Sequence, residues 1–258
     1  MRSSLIICTA AFLSGALFTL AADARKPVQP LSPQEEAKTF QLPAGYRMEL
    51  VLSEPEIKEP VMCAFDGNGR MFVAEMRTYM QDAEGTDEMA PTSRVSLHWS
   101  SKGDGVLDRH TVFADKLLLP RILLPLGEGQ CVIGETNTLD LYLHTDTDGD
   151  GVADKKELWF EGGPRGGNLE HQPSGLVWCL DNWIYTSYNA YRLRWNGAGR
   201  PPLKEPTAPN GGQWGLSQDD YGKPWFIAGA ERGPDLGPEE GRVLVHRRDD
   251  LTGLGVGG

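Results

Sequence analysis

Two stretches of the sequence repeat one another 46 residues apart. HWSSKGDGVLDRHTVF starts at His98 and HTDTDGDGVADKKELWF starts at His144. When one stretch is shifted onto the other, their Gly-Asp-Gly-Val cores and the aspartates that follow coincide. A unit of about 46 residues is the length of one four-stranded blade, so this spacing predicts a β-propeller.

A second phrase recurs and supports the same fold. An apolar strand, a turn with aspartate and a strand with aromatic or branched residues occupy residues 64–75, 178–188 and 216–229, with a weaker copy at 127–136. Long helical periodicity is nearly absent. Short β-rich runs between turn residues predict an all-β protein. The runs are YRMELVL, RMFVAEM, RVSLHW, QCVIGET, LDLYLH, ELWF, GLVWCL, NWIYTSY, YRLRW and KPWFIAG.

The predicted propeller covers residues 41–231, which is room for roughly four blades. An open set of blades would leave sheet edges unpaired. Either further blades follow in the native protein, or the chain is an incomplete product. Residues 232–258 lack aromatic residues and hold one strand-like run, RVLVH. They are predicted to be an irregular tail, either disordered or produced by truncation or a frameshift.

Residues 1–24 have the features of a cleavable signal peptide. Arg2 supplies the positive start, residues 5–20 are largely apolar, and the ADA at 22–24 resembles a cleavage site. The alternative, a membrane anchor, needs about 20 apolar residues. Residues 25–40 are rich in proline and charge, which is typical of a linker. The sequence therefore predicts a periplasmic or secreted protein.

Three cysteines follow the predicted signal peptide. Cys63, Cys131 and Cys179 each lie in an apolar, strand-like run and form no CxxC or CxxCH motif. Buried free thiols are the simpler interpretation. A disulfide would join two of the three, and nothing in the sequence selects the pair.

The second copy of the 46-residue repeat carries a calcium-loop pattern. DTDGDGVADKKE, residues 146–157, matches D-x-D-x-D-G-x5-E at every ligand position. Calcium takes about six to eight oxygen ligands, which carboxylates around a glycine turn can supply. The predicted ligands are Asp146, Asp148, Asp150, the carbonyl of Val152, Asp154 directly or through water, and Glu157.

The flanks of this loop read as strands, which excludes the paired helices of an EF-hand. A bound ion would therefore fix a connection between strands, and the alternative is a solvated acidic turn. The first copy has Ser100 and Lys102 in place of the first two aspartates, and we predict that it has lost binding. The formal net charge of −11 accords with bound cations and makes nucleic acid an unfavourable partner.

The candidate catalytic chemistry lies in GGNLEHQPSGLVWCLDNWIYTSYNAYRLRW, residues 166–195. His171 precedes a Pro-Ser-Gly turn that leads into an apolar strand. At such a strand entrance, propeller residues face the central axis or its mouth. Histidine exchanges protons near neutral pH. Residue chemistry alone leaves two interpretations open, a catalytic imidazole and a hydrogen-bonded structural histidine.

The stretch EHQPSGLVWCLDNWIY resembles a segment of soluble PQQ-dependent glucose and sorbosone dehydrogenases, in which a His-Gln-x-Gly-type turn opens a strand ending D-x-x-I-Y. Residues 40–231 are more closely similar to the membrane-bound dehydrogenase family of planctomycetes and verrucomicrobia. The stretches that carry this similarity are LPAGYRMELVLSEP, FDGNGRMFVAEMRTYMQDAEG, LPRILLPL, IGETNTLDLY, DTDGDGVADKKELWFEGGPRGGNLEHQPSG and NGGQWGLSQDDYGKPWF. The resemblance implies a propeller of the six-bladed type.

The resemblance also implies roles for individual residues. In those dehydrogenases the histidine matching His171 takes a proton from the sugar hydroxyl while hydride moves to PQQ. Gln172 adjoins it and is expected to help hold the substrate. Arg192 and Arg194 are the expected partners of the PQQ carboxylates, by proximity in the sequence. The alternative for both arginines is ordinary strand-surface charge.

The leading hypothesis is therefore an exported, PQQ-dependent dehydrogenase that oxidises a sugar or another alcohol and passes electrons to a c-type cytochrome. The resembling families commonly carry later blades, a helical-repeat region and a CxxCH haem domain, and no CxxCH occurs in this sequence. The alternative is a non-catalytic, calcium-stabilised propeller that binds carbohydrate or a partner. An inactive fragment of the enzyme is a third hypothesis.

Overall fold

The computed structural model describes residues 29–209 and 212–228. The chain divides into two units, residues 1–49 and residues 50–258. The predicted signal peptide and the predicted tail lie outside the described residues. Within the described part of the chain, no helix is long and apolar enough to cross a membrane.

The described residues of the first unit, 29–49, contain one short helix, α1 (Pro33–Glu36), followed by a 3-10 turn (Ala37–Thr39). Ser32 and Glu35 form a capping box at its start. The Ser32 hydroxyl oxygen accepts the Glu35 N–H at 3.3 Å, and the Glu35 carboxylate accepts the Ser32 N–H at 3.1 Å. The Ser-Pro-Gln-Glu sequence thus places a helical turn inside the predicted linker.

The second unit is built from short antiparallel strands in chain order. Blade 1 consists of β1 (Pro60–Phe65), β2 (Met71–Glu75), β3 (Ser93–Trp99) and β4 (Arg109–Leu117). Blade 2 consists of β5 (Pro120–Gly127), β6 (Gln130–Glu135), β7 (Leu141–Thr145) and β8 (Lys155–Phe160). Blade 3 consists of β9 (Gly175–Trp178), β10 (Ile184–Thr186), β11 (Tyr191–Arg194) and β12 (Leu203–Pro206). A hairpin, β13 (Gly212–Gln218) and β14 (Pro224–Ala228), follows.

The connectivity is that of a β-propeller. Each blade is a meander in which every strand pairs with the next one. The first strands of neighbouring blades lie side by side: β1 contacts β5, and β5 pairs in parallel with β9 through Ile122 and Gly175. Radially arranged four-stranded meanders define this fold. The prediction of an all-β propeller is therefore confirmed, with three complete blades and the hairpin among the described residues.

Both sequence repeats correspond to fixed places in the blades. The Asp-containing phrase is the turn between the first two strands. Asp66 Oδ1 accepts the N–H groups of Asn68 and Arg70 at 2.9 Å, and Asp219 Oδ1 accepts that of Lys223 at 2.9 Å. An aspartate that bonds the backbone ahead of it closes a tight turn. The 46-residue repeat covers the loop between the third and fourth strands of blades 1 and 2.

Apolar side chains fill the spaces between blades. Between blades 1 and 2, Phe72 and Phe113 pack in one cluster with Leu123 and Ile133 of blade 2. Between blades 2 and 3, a second cluster joins Ile122, Val132, Leu143 and Trp159 to Ile184 and Leu193. Successive residues of a strand point to opposite faces. Strands β5 and β6 are therefore buried on both faces, which explains their continuous apolar sequence.

The free cysteines divide between core and surface. Cys131 and Cys179 are buried, and burial raises the pKa of the Cys131 thiol. Cys63 is exposed, because its neighbours Met62 and Ala64 pack on the core and Cys63 faces the other side of β1. The interpretation as buried free thiols is confirmed for the first two and wrong for Cys63.

The run YRMELVL, residues 46–52, forms no strand, although its pattern predicted one. Tyr46 is 74% exposed, and Met48 and Leu50 are exposed as well. An alternating pattern identifies a face to be buried, but a strand also needs a hydrogen-bonding neighbour. The other predicted runs overlap strands of the structure.

Buried His98 makes the stability of blade 1 depend on pH. It is 1% exposed, contacts Ser96 Oγ at 2.9 Å and stacks on His110. Burial, helped by the neighbouring His110, lowers the pKa of His98 to about 4. The unfolded imidazole has a pKa near 6.5, so the unfolded chain binds more protons between about pH 6.5 and pH 4. Stability is therefore lost as the pH falls through this window.

We predict that the free energy of unfolding falls by roughly 2 kcal/mol when the pH is lowered from about 7.5 to 5, because His98 takes up a proton on unfolding. Urea denaturation at both pH values measures this difference. His98→Gln should remove that share of the pH dependence. The control Val95→Ala, a buried residue on the other face of β3, should lower stability equally at both pH values. A His98→Gln variant with the wild-type pH dependence would contradict the prediction.

Candidate functional site

The meander topology sorts the loops to two ends of the blades. The end at which the first strand of each blade begins is called the entry end here, and it includes residues 76–92, 136–140, 161–174 and 187–190. The opposite end is called the turn end, and it includes residues 66–70, 100–108, 146–154 and 179–183. The candidate catalytic residue and the candidate calcium ligands therefore lie at different ends.

His171 lies at the entry end, in the loop between β8 and β9, and its side chain is exposed. Its backbone N–H donates to Asn168 Oδ1 at 2.8 Å. The imidazole faces the ring of Tyr188, with 6.5 Å between the ring centroids. The arrangement leaves an imidazole and a phenol side by side at the surface of this end.

Gln172 supports the loop from behind. It is 3% exposed, and its side-chain amide donates to the carbonyl oxygens of Gly166 at 2.6 Å and Asn168 at 2.5 Å. The sequence suggested that Gln172 helps to hold a substrate. The structure instead uses its hydrogen-bond donors within the protein, so that Gln172 shapes the loop that presents His171.

Arg121 is a buried cation that the sequence analysis did not single out. It is 2% exposed, and its guanidinium donates to the carbonyl oxygens of Leu169 at 2.8 Å and Glu170 at 3.0 Å. Burial is the main cause that lowers its pKa to about 10. Together with Gln172 it lines a narrow pocket between blades 2 and 3. The available signal was an arginine inside the apolar run LPRILLPL.

Arg192 and Arg194 are not placed beside His171. Arg192 donates to Glu205 Oε2 at 2.8 Å and to Tyr185 Oη at 3.0 Å. Both guanidinium groups lie over the ring of Trp183, at 4.3 Å for Arg192 and 5.4 Å for Arg194. Trp183 belongs to the turn end of blade 3. The contacts of these two side chains are therefore within blade 3, where Arg192 pairs with Glu205 and both pack on Trp183.

Three of the predicted calcium ligands come together at the turn end. Carboxylate oxygens of Asp146, Asp148 and Asp154 lie within 4.8 Å of one another. Asp146 is 6% exposed and accepts the N–H groups of Gly149 at 2.7 Å and Gly151 at 2.9 Å. The backbone therefore fixes one carboxylate beside the two exposed ones, and oxygen ligands of this kind suit a hard cation.

Two other predicted ligands lie outside this group. Asp150 Oδ1 accepts the Val152 N–H at 2.8 Å. Glu157 lies within β8, opposite Leu143, and its carboxylate contacts Lys155 Nζ at 2.9 Å. The reason is local: the chain becomes extended at the start of β8, whereas the pattern assumes that the loop continues into a helix.

The acidic loop is also fastened to blade 1. The Ala153 N–H donates to the Phe113 carbonyl at 2.8 Å, and Thr111 Oγ1 donates to the Gly151 carbonyl at 2.6 Å. Gly151 has a φ of 86°, and a Cβ atom there would lie 2.9 Å from Thr111 Oγ1. The glycine is needed both for the turn and for this close approach. The loop therefore braces two blades.

The equivalent loop of blade 1 has a similar internal hydrogen bond but lacks the cluster of three carboxylates. Ser101 Oγ donates to Asp108 Oδ2 at 2.6 Å, as Thr147 Oγ1 donates to Asp154 Oδ2 at 2.6 Å. Ser100 contributes a hydroxyl where Asp146 contributes a carboxylate. In the described part of the chain, the blade 2 loop alone groups three acidic side chains in this way.

A family model described as "Domain of unknown function (DUF7133)" matches residues 32–245. No curated protein is significantly similar to the chain. Membership of the planctomycete and verrucomicrobial dehydrogenase family stays a prediction from the sequence.

Several solved structures are similar to this one. A gluconolactonase from Xanthomonas campestris has 12% identity, a TM-score of 0.47, and coverage of 70% of this chain and 58% of its own. The PQQ domain of pyranose dehydrogenase from Coprinopsis cinerea has 10% identity, a TM-score of 0.46, and coverage of 69% and 45%. The calcium-binding protein regucalcin from Agrobacterium tumefaciens has 11% identity, a TM-score of 0.44, and coverage of 68% and 55%. The chain spans about half the length of these structures.

We predict that Thr111→Val weakens the brace between blades 1 and 2. The substitution keeps the side-chain volume but removes the donor to the Gly151 carbonyl, which should lower the free energy of unfolding by about 1–2 kcal/mol. Urea denaturation measures the loss. Ser101→Ala removes an exposed hydroxyl within its own loop and should cost less than about 0.5 kcal/mol. Equal losses in both variants would argue against the brace.

Proposed function

We propose that this chain, which belongs to the DUF7133 family, is the propeller of an oxidoreductase that dehydrogenates a sugar or another alcohol, with His171 as the general base. The observation that carries the proposal is the exposed imidazole at the entry end, on a loop that the buried Arg121 and Gln172 hold from behind. A base must be held in place while its ring stays accessible to the substrate.

The chemistry follows from this arrangement. In this proposal an imidazole nitrogen of His171 takes the proton of the substrate hydroxyl, and a quinone bound nearby would accept the hydride from the carbon that bears this hydroxyl. Tyr188 lies beside the imidazole and offers an aromatic face against which the C–H groups of a sugar can pack. A few polar groups next to an apolar surface are typical of small-molecule sites.

The hydride acceptor in this proposal is a quinone of the PQQ type, which would supply the oxidising power. The described residues do not provide the expected partners for its carboxylates, because Arg192 and Arg194 are engaged at the turn end of blade 3. The role assigned to this chain's residues therefore ends with binding the alcohol and taking its proton. Export through the predicted signal peptide and electron transfer to a c-type cytochrome rest on the sequence alone.

The dehydrogenase proposal is tested by dye reduction with PQQ, calcium and a panel of sugars and alcohols. We expect turnover by the wild type, and a loss of about 10²- to 10⁴-fold in kcat/KM for His171→Ala. His110→Ala removes an exposed imidazole at the turn end and should keep wild-type activity. Full activity of His171→Ala would remove this residue from the mechanism. A wild type that binds sugars in calorimetry without turnover would favour the non-catalytic binding module.

We further propose that calcium binds Asp146, Asp148 and Asp154 and stabilises the brace between blades 1 and 2. Two observations support this role: the three carboxylates lie close together, and hydrogen bonds tie their loop to Thr111 and Phe113. A cation there would offset the repulsion among three neighbouring carboxylates.

We predict that calcium at about 100 times its Kd raises the free energy of unfolding by about 2.7 kcal/mol. Calorimetry and thermal denaturation with calcium or a chelator measure this effect. Asp148→Ala should abolish this stabilisation. Asp150 is an exposed aspartate of the same loop that does not belong to the cluster of three carboxylates, so Asp150→Ala should retain most of the stabilisation. Equal binding by Asp148→Ala and the wild type would refute the ligand set.

A further inference from the structure

We propose that Arg121 is a positioning residue for His171, and that two consecutive residues of β5 hold the loop before and after the imidazole. The inference deepens the proposed function and rests on it for the identity of the base. It concerns a contact between two blades, since β5 belongs to blade 2 and the loop leads into blade 3.

Arg121 holds the part of the loop that directly precedes His171. Its two terminal nitrogens donate to the carbonyl oxygens of Leu169 and Glu170, at 2.8 and 3.0 Å. Glu170 is joined to His171 by a peptide bond. A planar guanidinium with a fixed fork of donors orients both carbonyls at once, which a lysine ammonium cannot do in the same geometry. The backbone that leads into His171 is therefore fixed on its N-terminal side.

Ile122, the next residue of β5, holds the chain after His171. It pairs in parallel with Gly175, at the start of β9. Gly175 and Leu176 have φ values of 92° and 103°, and a leucine in this region is strained. Leu176 is buried in the cluster between blades 2 and 3. The surrounding packing thus imposes an unfavourable backbone, which keeps the chain next to β5 after it leaves the loop.

Stability alone does not account for an arginine at this position. Burial of a guanidinium is unfavourable until its hydrogen bonds compensate for the lost water. Leu118, Leu119 and Ile122, which flank it in the sequence, are buried and apolar. Glu170, at the entry end, is a nearby carboxylate whose charge favours the protonated guanidinium. A buried arginine is explained if its two hydrogen bonds to backbone carbonyls are needed to hold the His171 imidazole in position for proton transfer.

The test compares Arg121→Met and Arg121→Lys with the wild type and with Arg165→Met. Arg165 is a half-buried arginine that donates to the Gly167 carbonyl at 2.6 Å in the same loop, so it is a matched control. We expect Arg121→Met to lower kcat by about 10- to 100-fold with KM within about twofold, because a displaced base loses reactivity without losing substrate contacts. Arg121→Lys should recover part of this loss. Arg165→Met should stay within about twofold of the wild type.

Added guanidinium ion gives a second readout. In Arg121→Ala it should enter the vacated space and restore part of kcat, which it should not do in Arg165→Ala. A purely structural role for Arg121 would lower Tm while kcat of the folded protein stayed at the wild-type value, and this result would overturn the proposal. Failure of both Arg121→Lys and guanidinium to recover any activity would overturn it as well.

The geometry can be tested even if the proposed function is wrong. NMR signals of the His171 ring should form one narrow set in the wild type and in Arg165→Met. They should become broad or multiple in Arg121→Met. If the wild type turns over no substrate but the ring signals respond in this way, the dehydrogenase proposal fails and the positioning by Arg121 stands. Unchanged ring signals in Arg121→Met would overturn the positioning.

Discussion

Burial of both faces of β5 and β6 holds the described blades together. Leu123 and Ile133 face blade 1, while Ile122 and Val132 face blade 3. The hydrophobic effect stabilises such packing in proportion to the apolar area removed from water. The same strand supplies the polar contacts of the entry end, because Arg121 follows directly before Ile122. The core of the propeller and the loop of the candidate base thus depend on one strand.

The two ends of the blades carry different chemistry. At the entry end, the imidazole of His171 is exposed on a loop whose buried polar partners lie behind it. At the turn end, carboxylates gather in a loop that ties blade 2 to blade 1. A cation bound there would act on the packing of the blades, while substrate chemistry would take place at the other end. Loops with distinct roles on a rigid scaffold are a common arrangement in proteins.

The sequence predicted what depends on local patterns. The 46-residue spacing and the Asp turns located equivalent loops in successive blades, because each blade repeats the same local hydrogen bonds. It did not identify β5, whose prolines and continuous apolar run resemble no half-buried strand. Glu157 does not join the cluster of Asp146, Asp148 and Asp154, because the loop continues into strand β8. Arg192 showed that nearness in sequence does not place a side chain beside His171. Arg121 acts across blades, which no local pattern reveals.

The central claim is that β5 fixes the loop of His171 as firmly as it fixes the blades. Native-state hydrogen exchange tests it most directly, through the amide of His171, which donates to Asn168, and that of Gln172, which donates to Glu170. The account predicts that these two amides exchange nearly as slowly as the amides of β5 and β6. Exchange of the loop amides at the rate of an unprotected peptide, with β5 and β6 still protected, would contradict it.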